Sequence, residues 1–218
     1  MMIRRQSFAA LAVLAAAAWA PRHLNAAGQS QTPDRPVILA VGESTTAGYG
    51  VDRELSYPAQ LQQKLAERGY HYRVVNHGVS GSTTQAALAR LDRGLALKPS
   101  IVIIALGGND AGSRVPIETT RANLGKLISM FKRVGAEVFV TNRNLPGGGQ
   151  DSSSIFAELA RQYHAVLMPP LTSGVAGHPE LLIEDGSHPN ADGYTIIVRR
   201  ILEIIEPYLK KDLAQIRP

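Results

Sequence analysis

Two stretches far apart in the sequence carry the residue types of a serine nucleophile and its activating groups. Ser44 follows Gly42 and Glu43, whereas Asp185 and His188 lie three positions apart in EDGSHPN, residues 184–190. A serine hydroxyl becomes an effective nucleophile when an imidazole removes its proton and a carboxylate orients that imidazole. The short spacing lets Asp185 reach one ring nitrogen of His188 while the other faces Ser44. These three residues are therefore candidates for a catalytic triad.

Two further stretches carry groups that stabilise the negatively charged oxygen of a tetrahedral intermediate. Gly81 lies in HGVSGST, residues 77–83, and Asn109 lies in GGND, residues 107–110. Glycine allows a backbone amide to approach closely, and an asparagine side chain supplies a second donor. The backbone amide of Ser44, at the start of a helix or turn, is a third. The predicted oxyanion hole thus consists of Ser44, Gly81 and Asn109.

Each of these stretches also has an ordinary structural explanation when it is considered alone. Ser44 could cap a helix, the pair Asn109-Asp110 could cap the helix that follows it, and Gly81 could occupy a position with positive φ. His188 could be a loop histidine, and Asp185 could begin a simple turn. The catalytic interpretation depends on all four stretches meeting at one place, which the arrangement of strands and helices must provide.

Five short apolar runs predict strands that alternate with segments of helical periodicity. Such alternation, with strands apolar on both faces, predicts an α/β fold of three layers around a parallel sheet. Ligands bind beyond the carboxyl ends of such strands. In chain order, the stretches with Ser44, Gly81 and Asn109 follow the first three strands. The stretch with Asp185 and His188 precedes a final helix predicted at 191–209. The predicted strands are 36–41, 72–76, 101–106, 137–141 and 165–168.

The N-terminal residues predict an export signal and not part of the fold. Arg4 and Arg5 precede an apolar stretch at 8–20 and then small residues, which is typical of a secretory or twin-arginine signal. Residues 1–26 are assigned to the signal and 27–218 to a single domain. The stretch at 8–20 is shorter than the roughly 20 residues of a membrane span. The mature protein is therefore expected to be soluble, without a membrane span, and periplasmic or secreted.

Composition argues against several other functions. The whole chain has 23 basic and 18 acidic residues, and the predicted signal contains three of the basic ones. No basic patch interleaved with aromatic residues remains, so nucleic acid is not an expected partner. Cysteine is absent, and no HExxH, phosphate-binding GxxxxGK[ST] or GxSxG pattern occurs. His71, His77, His164 and His178 are interpreted as surface or structural residues, and no metal or cofactor is expected.

The four stretches resemble, in order and spacing, the motif blocks of the SGNH hydrolases, also called the GDSL family. These are GES with TTAGYG from Gly42, NHGVSGST from Asn76, GGND from Gly107 and DGSHPN from Asp185. The resemblance spans nearly all of 27–218 and is greatest to exported bacterial arylesterases, acyl-CoA thioesterases and lysophospholipases. It implies a flavodoxin-like sheet of five parallel strands and the triad and oxyanion roles already described. It also implies an activity that needs no metal or organic cofactor.

Two departures from the family pattern concern this chain alone. The family has aspartate before the serine, where this chain has Glu43, an acid that is expected to organise the loop and to lie outside the triad. A glycine-rich stretch, NRNLPGGGQDSS from Asn142, replaces a loop that often covers the acyl pocket. Acyl-chain preference is therefore left open.

The sequence accordingly predicts a serine hydrolase that cleaves carboxylic esters or thioesters of small acyl substrates through an acyl-serine intermediate. Two alternatives remain. One is a carbohydrate O-acetyl esterase, because related folds deacetylate sugars. The other is a catalytically inactive protein that retains the fold for binding, for which Glu43 is the only support in the sequence.

Overall fold

A computed structural model describes residues 35–142 and 154–210. Its centre is a parallel sheet of five strands in the order β2-β1-β3-β4-β5. The central strands β1 and β3 are buried along their whole length. The strands are β1 (Val37–Gly42), β2 (Arg73–Gly78), β3 (Ile101–Ala105), β4 (Glu137–Thr141) and β5 (Val166–Met168).

Helices cover both faces of this sheet. Alternate residues of β1 show the division, since Leu39 and Val41 pack in one apolar core and Ile38 and Ala40 in the other. The first core contains α3, α4, α6 and α7, and the second contains α2 and α8. The helices are α1 (Ser44–Ala47), α2 (Tyr57–Glu67), α3 (Thr84–Ala89), α4 (Leu91–Leu95), α5 (Gly108–Gly112), α6 (Ile117–Arg133), α7 (Ser154–Gln162) and α8 (Ala191–Ile205). The predicted three-layer α/β fold is confirmed.

Two details differ from the sequence prediction. Strand β2 was expected to be buried on both faces, but most of its residues are only partly buried, because β2 is an edge strand with one neighbour. The last helix ends at Ile205 and not at Leu209, and a short 3-10 turn, Glu206–Tyr208, follows it. Pro207 accounts for this end, because proline lacks the amide hydrogen that the next helical hydrogen bond, to the carbonyl four residues earlier, would require.

The loops after β1, β2 and β3 leave the sheet at the same edge, as expected for parallel neighbours. Within 35–142 and 154–210, no helix combines the length and the apolar character required to cross a membrane. The predicted signal at 1–26 and most of the glycine-rich stretch after Asn142 lie outside the described residues.

Candidate active site

Ser44 is held at the carboxyl edge of the sheet by an abrupt change from strand to helix. It is the first residue of α1, immediately after β1 and Glu43. Glycine is required at the end of β1 and at the end of the neighbouring β2. A β-carbon at Gly42 would collide with the Thr46 side chain, and one at Gly78 would collide with the backbone of α1. The close approach of α1 to β1 and β2 fixes the position of the Ser44 hydroxyl.

The structure brings His188, which is 144 positions after Ser44 in the sequence, to the serine together with Asp185. His188 Nε2 lies 2.7 Å from Ser44 Oγ, and His188 Nδ1 lies 2.6 Å from Asp185 Oδ2. A neutral imidazole with its proton on Nδ1 donates to Asp185 and accepts the Ser44 hydroxyl proton at Nε2. The predicted triad residues therefore form one continuous series of hydrogen bonds.

The backbone of the same loop also holds the Asp185 carboxylate. Its Oδ1 accepts hydrogen bonds from the amides of Ser187 and His188, each at 2.9 Å. These bonds to the charged form lower the pKa of Asp185 to about 2, with the His188 amide making the largest contribution and the His188 ring the next. Asp185 is thus an anion at neutral pH, and its hydrogen bond to Nδ1 orients the imidazole ring.

Tyr49 forms one wall of this site, a role that the sequence did not suggest. Its ring centroid lies 4.8 Å from that of His188 at an interplanar angle of 51°, and the residue is 50% exposed. The tyrosine falls inside the motif stretch TTAGYG, but no feature of the sequence distinguishes it from a loop residue. Its position gives the mouth of the site a solvent-facing aromatic surface beside the imidazole.

The two predicted oxyanion donors on other loops lie in different hydrogen-bonding situations. Gly81 has a positive φ of 75°, which favours glycine, and within the described chain its amide donates to no backbone carbonyl. Asn109, in α5, uses its side-chain amide for two acceptors: Glu43 Oε2 at 2.8 Å and the Ser82 carbonyl at 3.2 Å. The Gly81 amide is therefore available, while the Asn109 side chain is already oriented by neighbouring loops.

Glu43 lies outside the triad and contacts the loop after β3. It is 3% exposed, and its Oε2 accepts from the Asn109 backbone amide at 3.1 Å as well as from the Asn109 side chain. The carboxylate thus connects the residue before Ser44 to a predicted oxyanion donor. This contact agrees with the expectation that the acid organises the loop.

Asp110, the residue after Asn109, is the centre of a buried cluster of hydrogen bonds. It is 1% exposed and accepts from the Thr84 amide at 2.8 Å, from the Thr84 hydroxyl, and from the Thr120 hydroxyl at 3.2 Å. Asn123 completes the cluster by donating to Thr84 at 3.0 Å. The sequence suggested only that Asp110 could cap a helix; its actual partners lie in α3 and α6, which no local pattern reveals.

A cavity of about 260 Å³ lies at the ends of β1, β3 and β4, and the two sequence neighbours of Ser44, Glu43 and Thr45, are among its lining residues. Its lining mixes polar and apolar residues, whereas a site for a plain hydrocarbon chain is expected to be mainly apolar. The lining residues are Glu43, Thr45, Ala105, Thr141, Asn142, Pro170, Leu171 and Thr172.

Among the described residues, the other histidines form no hydrogen bond or ring contact with Ser44, Asp185 or His188. His178 pairs with Glu180 at 3.2 Å, and His77 is partly buried, which together with the nearby Arg90 charge lowers its pKa. In the part of the chain that the structure describes, no group of three or more histidine, aspartate or glutamate residues is arranged to hold a metal ion.

Comparison with known proteins gives a consistent result. A model of the GDSL-like Lipase/Acylhydrolase family matches residues 40–196. The chain is 35% identical over 179 residues to esterase TesA of Pseudomonas aeruginosa, covering 79% of this chain and 87% of that protein. It is 33% identical over 178 residues to an arylesterase of Vibrio mimicus, covering 79% and 89%.

A solved structure is similar over the same part of the chain. It is the psychrotrophic esterase EstA from Pseudoalteromonas sp., inhibited by monoethylphosphonate, with a TM-score of 0.73 and 28% sequence identity. The match covers 79% of this chain and 97% of that one.

Proposed function

Because this chain belongs to the GDSL-like lipase/acylhydrolase family and is a carboxylic ester hydrolase, we propose that Ser44 is its nucleophile, His188 its acid and base, and Asp185 the residue that orients His188. The observation that supports this most strongly is the series of hydrogen bonds from Asp185 through His188 to Ser44 Oγ. Breaking any link removes either the proton acceptor or its orientation.

The proposed reaction has two stages with one covalent intermediate. Ser44 Oγ attacks the ester carbonyl carbon while its proton passes to His188 Nε2. The tetrahedral intermediate collapses as His188 returns that proton to the leaving alcohol or thiol, and Ser44 remains acylated. Water, deprotonated by His188, then attacks the acyl-serine. As this second tetrahedral intermediate collapses, His188 returns the proton to Ser44 Oγ, which frees Ser44 and releases the carboxylic acid.

The oxyanion of each tetrahedral intermediate is proposed to bind the backbone amides of Ser44 and Gly81 and the Asn109 side chain. The Ser44 amide begins α1 and has no acceptor within that helix, and the Gly81 amide is available in the described structure. For Asn109, the hydrogen of the longer of its two side-chain hydrogen bonds, to Ser82, is the one that the oxyanion would share with the Ser82 carbonyl, while that bond continues to orient the side chain.

The direct test is labelling with a serine-directed phosphonate, followed by mapping of the modified residue and by ester hydrolysis assays. Wild type is expected to take up one label per chain, on Ser44, and to lose activity as it does so. Ser44→Ala should remain unlabelled and inactive. A label on another residue, or ester hydrolysis by Ser44→Ala at the wild-type rate, would show that the proposed mechanism is wrong.

A carbohydrate O-acetyl esterase is the second candidate, favoured by one observation. The cavity lined by Glu43 and Thr45, the sequence neighbours of Ser44, includes a buried carboxylate and several threonines, which match a small acyl group on a polar alcohol better than a long acyl chain. Two substrate sets distinguish the candidates: p-nitrophenyl esters of increasing chain length, and an acetylated glycan. Strong glycan deacetylation with no activity beyond acetate favours the second candidate; activity rising toward longer esters favours the first.

We also propose that the protein is exported to the periplasm or beyond, with residues 27–218 as one hydrolase domain. The support is the N-terminal pattern of two arginines, an apolar stretch and small residues. Cell fractionation with N-terminal sequencing of the recovered enzyme is the test. Recovery of the whole chain, starting at Met1, from the cytoplasm alone would overturn this proposal.

A further inference from the structure

Arg90 connects two of the loops that carry the proposed oxyanion donors. It lies between α3 and α4 and is partly buried. Its Nη1 donates to Ser82 Oγ at 2.7 Å, and its Nη2 donates to the Gly42 carbonyl at 3.3 Å. One guanidinium therefore joins the loop after β1 to the loop after β2.

These bonds belong to a closed ring that also includes the loop after β3. From Ser82, the ring continues through its carbonyl to the Asn109 side chain at 3.2 Å, and from there to Glu43 Oε2 at 2.8 Å. Glu43 follows Gly42 covalently, and the Gly42 carbonyl returns the ring to Arg90. Each loop after β1, β2 and β3 contributes at least one member.

The ring members lie directly beside the groups that would contact the oxyanion. Gly42 is two residues before Ser44, Ser82 is the residue after Gly81, and Asn109 is itself a proposed donor. A change in the distance between the Gly42 carbonyl and Ser82 would therefore move one donor loop relative to another. Oxyanion stabilisation is sensitive to such movement, because the donors must converge on a single atom.

Arg90 uses its charge on neutral acceptors. Within residues 35–142 and 154–210 it forms no ion pair, and its two side-chain hydrogen bonds go to a hydroxyl and a carbonyl. Partial burial lowers the pKa of Arg90, as expected when a cation loses water. Burying a cation without a counter-ion is unfavourable, and a neutral donor would connect the same acceptors at lower cost.

We infer that Arg90 is a positioning residue for ester hydrolysis, whose two-pronged guanidinium sets the distance between the Ser44 and Gly81 loops and, through Ser82, orients Asn109. This inference rests on the proposed function of Ser44. Lysine cannot replace it fully, because an ammonium is a single point donor and lacks the fixed fork geometry.

The test compares Arg90→Met and Arg90→Lys with wild type and with Arg93→Met. Arg93 is an exposed arginine on α4 with no hydrogen bond or ion pair in the described structure, which makes it a matched control. Each preparation is titrated to completion with the phosphonate, and kcat is expressed per labelled serine. Misfolded molecules lower the titre but leave kcat per labelled serine unchanged.

Arg90→Met is expected to lower kcat by about 10- to 100-fold, less than the loss of a whole donor, and to change KM less than twofold. Arg90→Lys should lose less, and Arg93→Met should match wild type. Wild-type kcat per labelled serine in both Arg90 variants would overturn the inference.

A double-mutant cycle with Asn109→Ala separates positioning from general stabilisation. If Arg90 acts by orienting Asn109, Arg90→Met must cost markedly less kcat in the Asn109→Ala background than in wild type. Equal losses in both backgrounds would overturn the orientation of Asn109 through Ser82, and wild-type kcat in both Arg90 variants would overturn the spacing of the loops. Ser44→Ala, assayed in parallel, reports on the proposed function separately: wild-type hydrolysis by that variant would refute the serine mechanism, whichever result the Arg90 variants give.

Discussion

The Glu43 carboxylate accepts two hydrogen bonds from Asn109, one from its backbone amide and one from its side chain, across 66 residues of sequence. This contact explains how glutamate functions where the family has aspartate. The side chain spans the space between the loops after β1 and β3 and is almost completely buried there. We therefore expect the surrounding loops to be adapted to the longer acid.

Glu43→Asp is expected to decrease kcat by about tenfold, because a carboxylate shortened by one methylene no longer reaches both Asn109 groups and charge-assisted hydrogen bonds are lost. Steady-state kinetics on p-nitrophenyl butyrate measure the effect, with the exposed Glu203→Asp as the matched control. A rise in kcat would instead mean that the natural glutamate is a compromise.

Asp185→Asn should decrease kcat by about 1,000-fold or more while leaving the fold intact, because an amide neither fixes the imidazole tautomer nor stabilises its charged form. Kinetics on the purified variant, with circular dichroism to verify folding, provide the test. Asp192→Asn, an exposed change in the first turn of α8, is the control. Activity within tenfold of wild type would exclude Asp185 from the triad.

Acid should remove a stabilising contribution from Asp185. Its pKa is about 2 in the folded protein, below the ordinary value of 3.8, so the contribution is complete above about pH 4 and is lost as the pH falls toward 2. Urea unfolding between pH 6 and pH 2.5 should show the stability difference between wild type and Asp185→Asn shrinking over this range. A pH-independent difference would contradict the assignment; Asp192→Asn is again the reference.

Tyr49→Ala is expected to lower kcat/KM by about three- to tenfold, the range that corresponds to loss of one aromatic contact with the His188 ring. Tyr49→Phe keeps the ring and should retain nearly full activity, which makes it the matched variant. The kcat/KM of wild type and of both variants is measured on phenyl and ethyl esters of the same acid in one assay series. Equal losses in the two variants would assign the effect to the hydroxyl and not to ring contact.

Asp110→Asn should destabilise the fold by about 1–3 kcal/mol, because the amide nitrogen faces the Thr84 amide or the hydroxyl groups and leaves a buried group unsatisfied. Chemical denaturation measures the change, and the exposed Asp92→Asn on α4 is the control. Unchanged stability would mean that the cluster around Thr84 rearranges freely.

Much of this site follows from the sequence because its key residues lie in short stretches directly after apolar strands. Ser44, Asp185 and His188 meet as predicted, since the order of the strands determines which loops share an edge. Tyr49 and Arg90 could not be found in this way. Their partners are distant in sequence, as with the 48 residues between Gly42 and Arg90, and only packing of the helices on the sheet brings them together.

Boundaries were harder to predict than elements. The residue range 191–209 is apolar at helical spacing to its end, but Pro207 stops the helix at Ile205. The apolar run of β2 indicates a strand, whereas the place of β2 at the edge of the sheet depends on strand order. Neither property can be obtained from the local periodicity of the sequence.

The 144 residues between Ser44 and His188 also determine when the enzyme gains its reactivity. During synthesis Ser44 emerges just after the first strand, whereas His188, its proposed proton acceptor, emerges after all five strands of the sheet. Under the proposed mechanism, a nascent chain carries an unactivated Ser44 hydroxyl until the loop before α8 docks on the finished sheet. A chain that lacks this loop is then expected to be unable to hydrolyse esters.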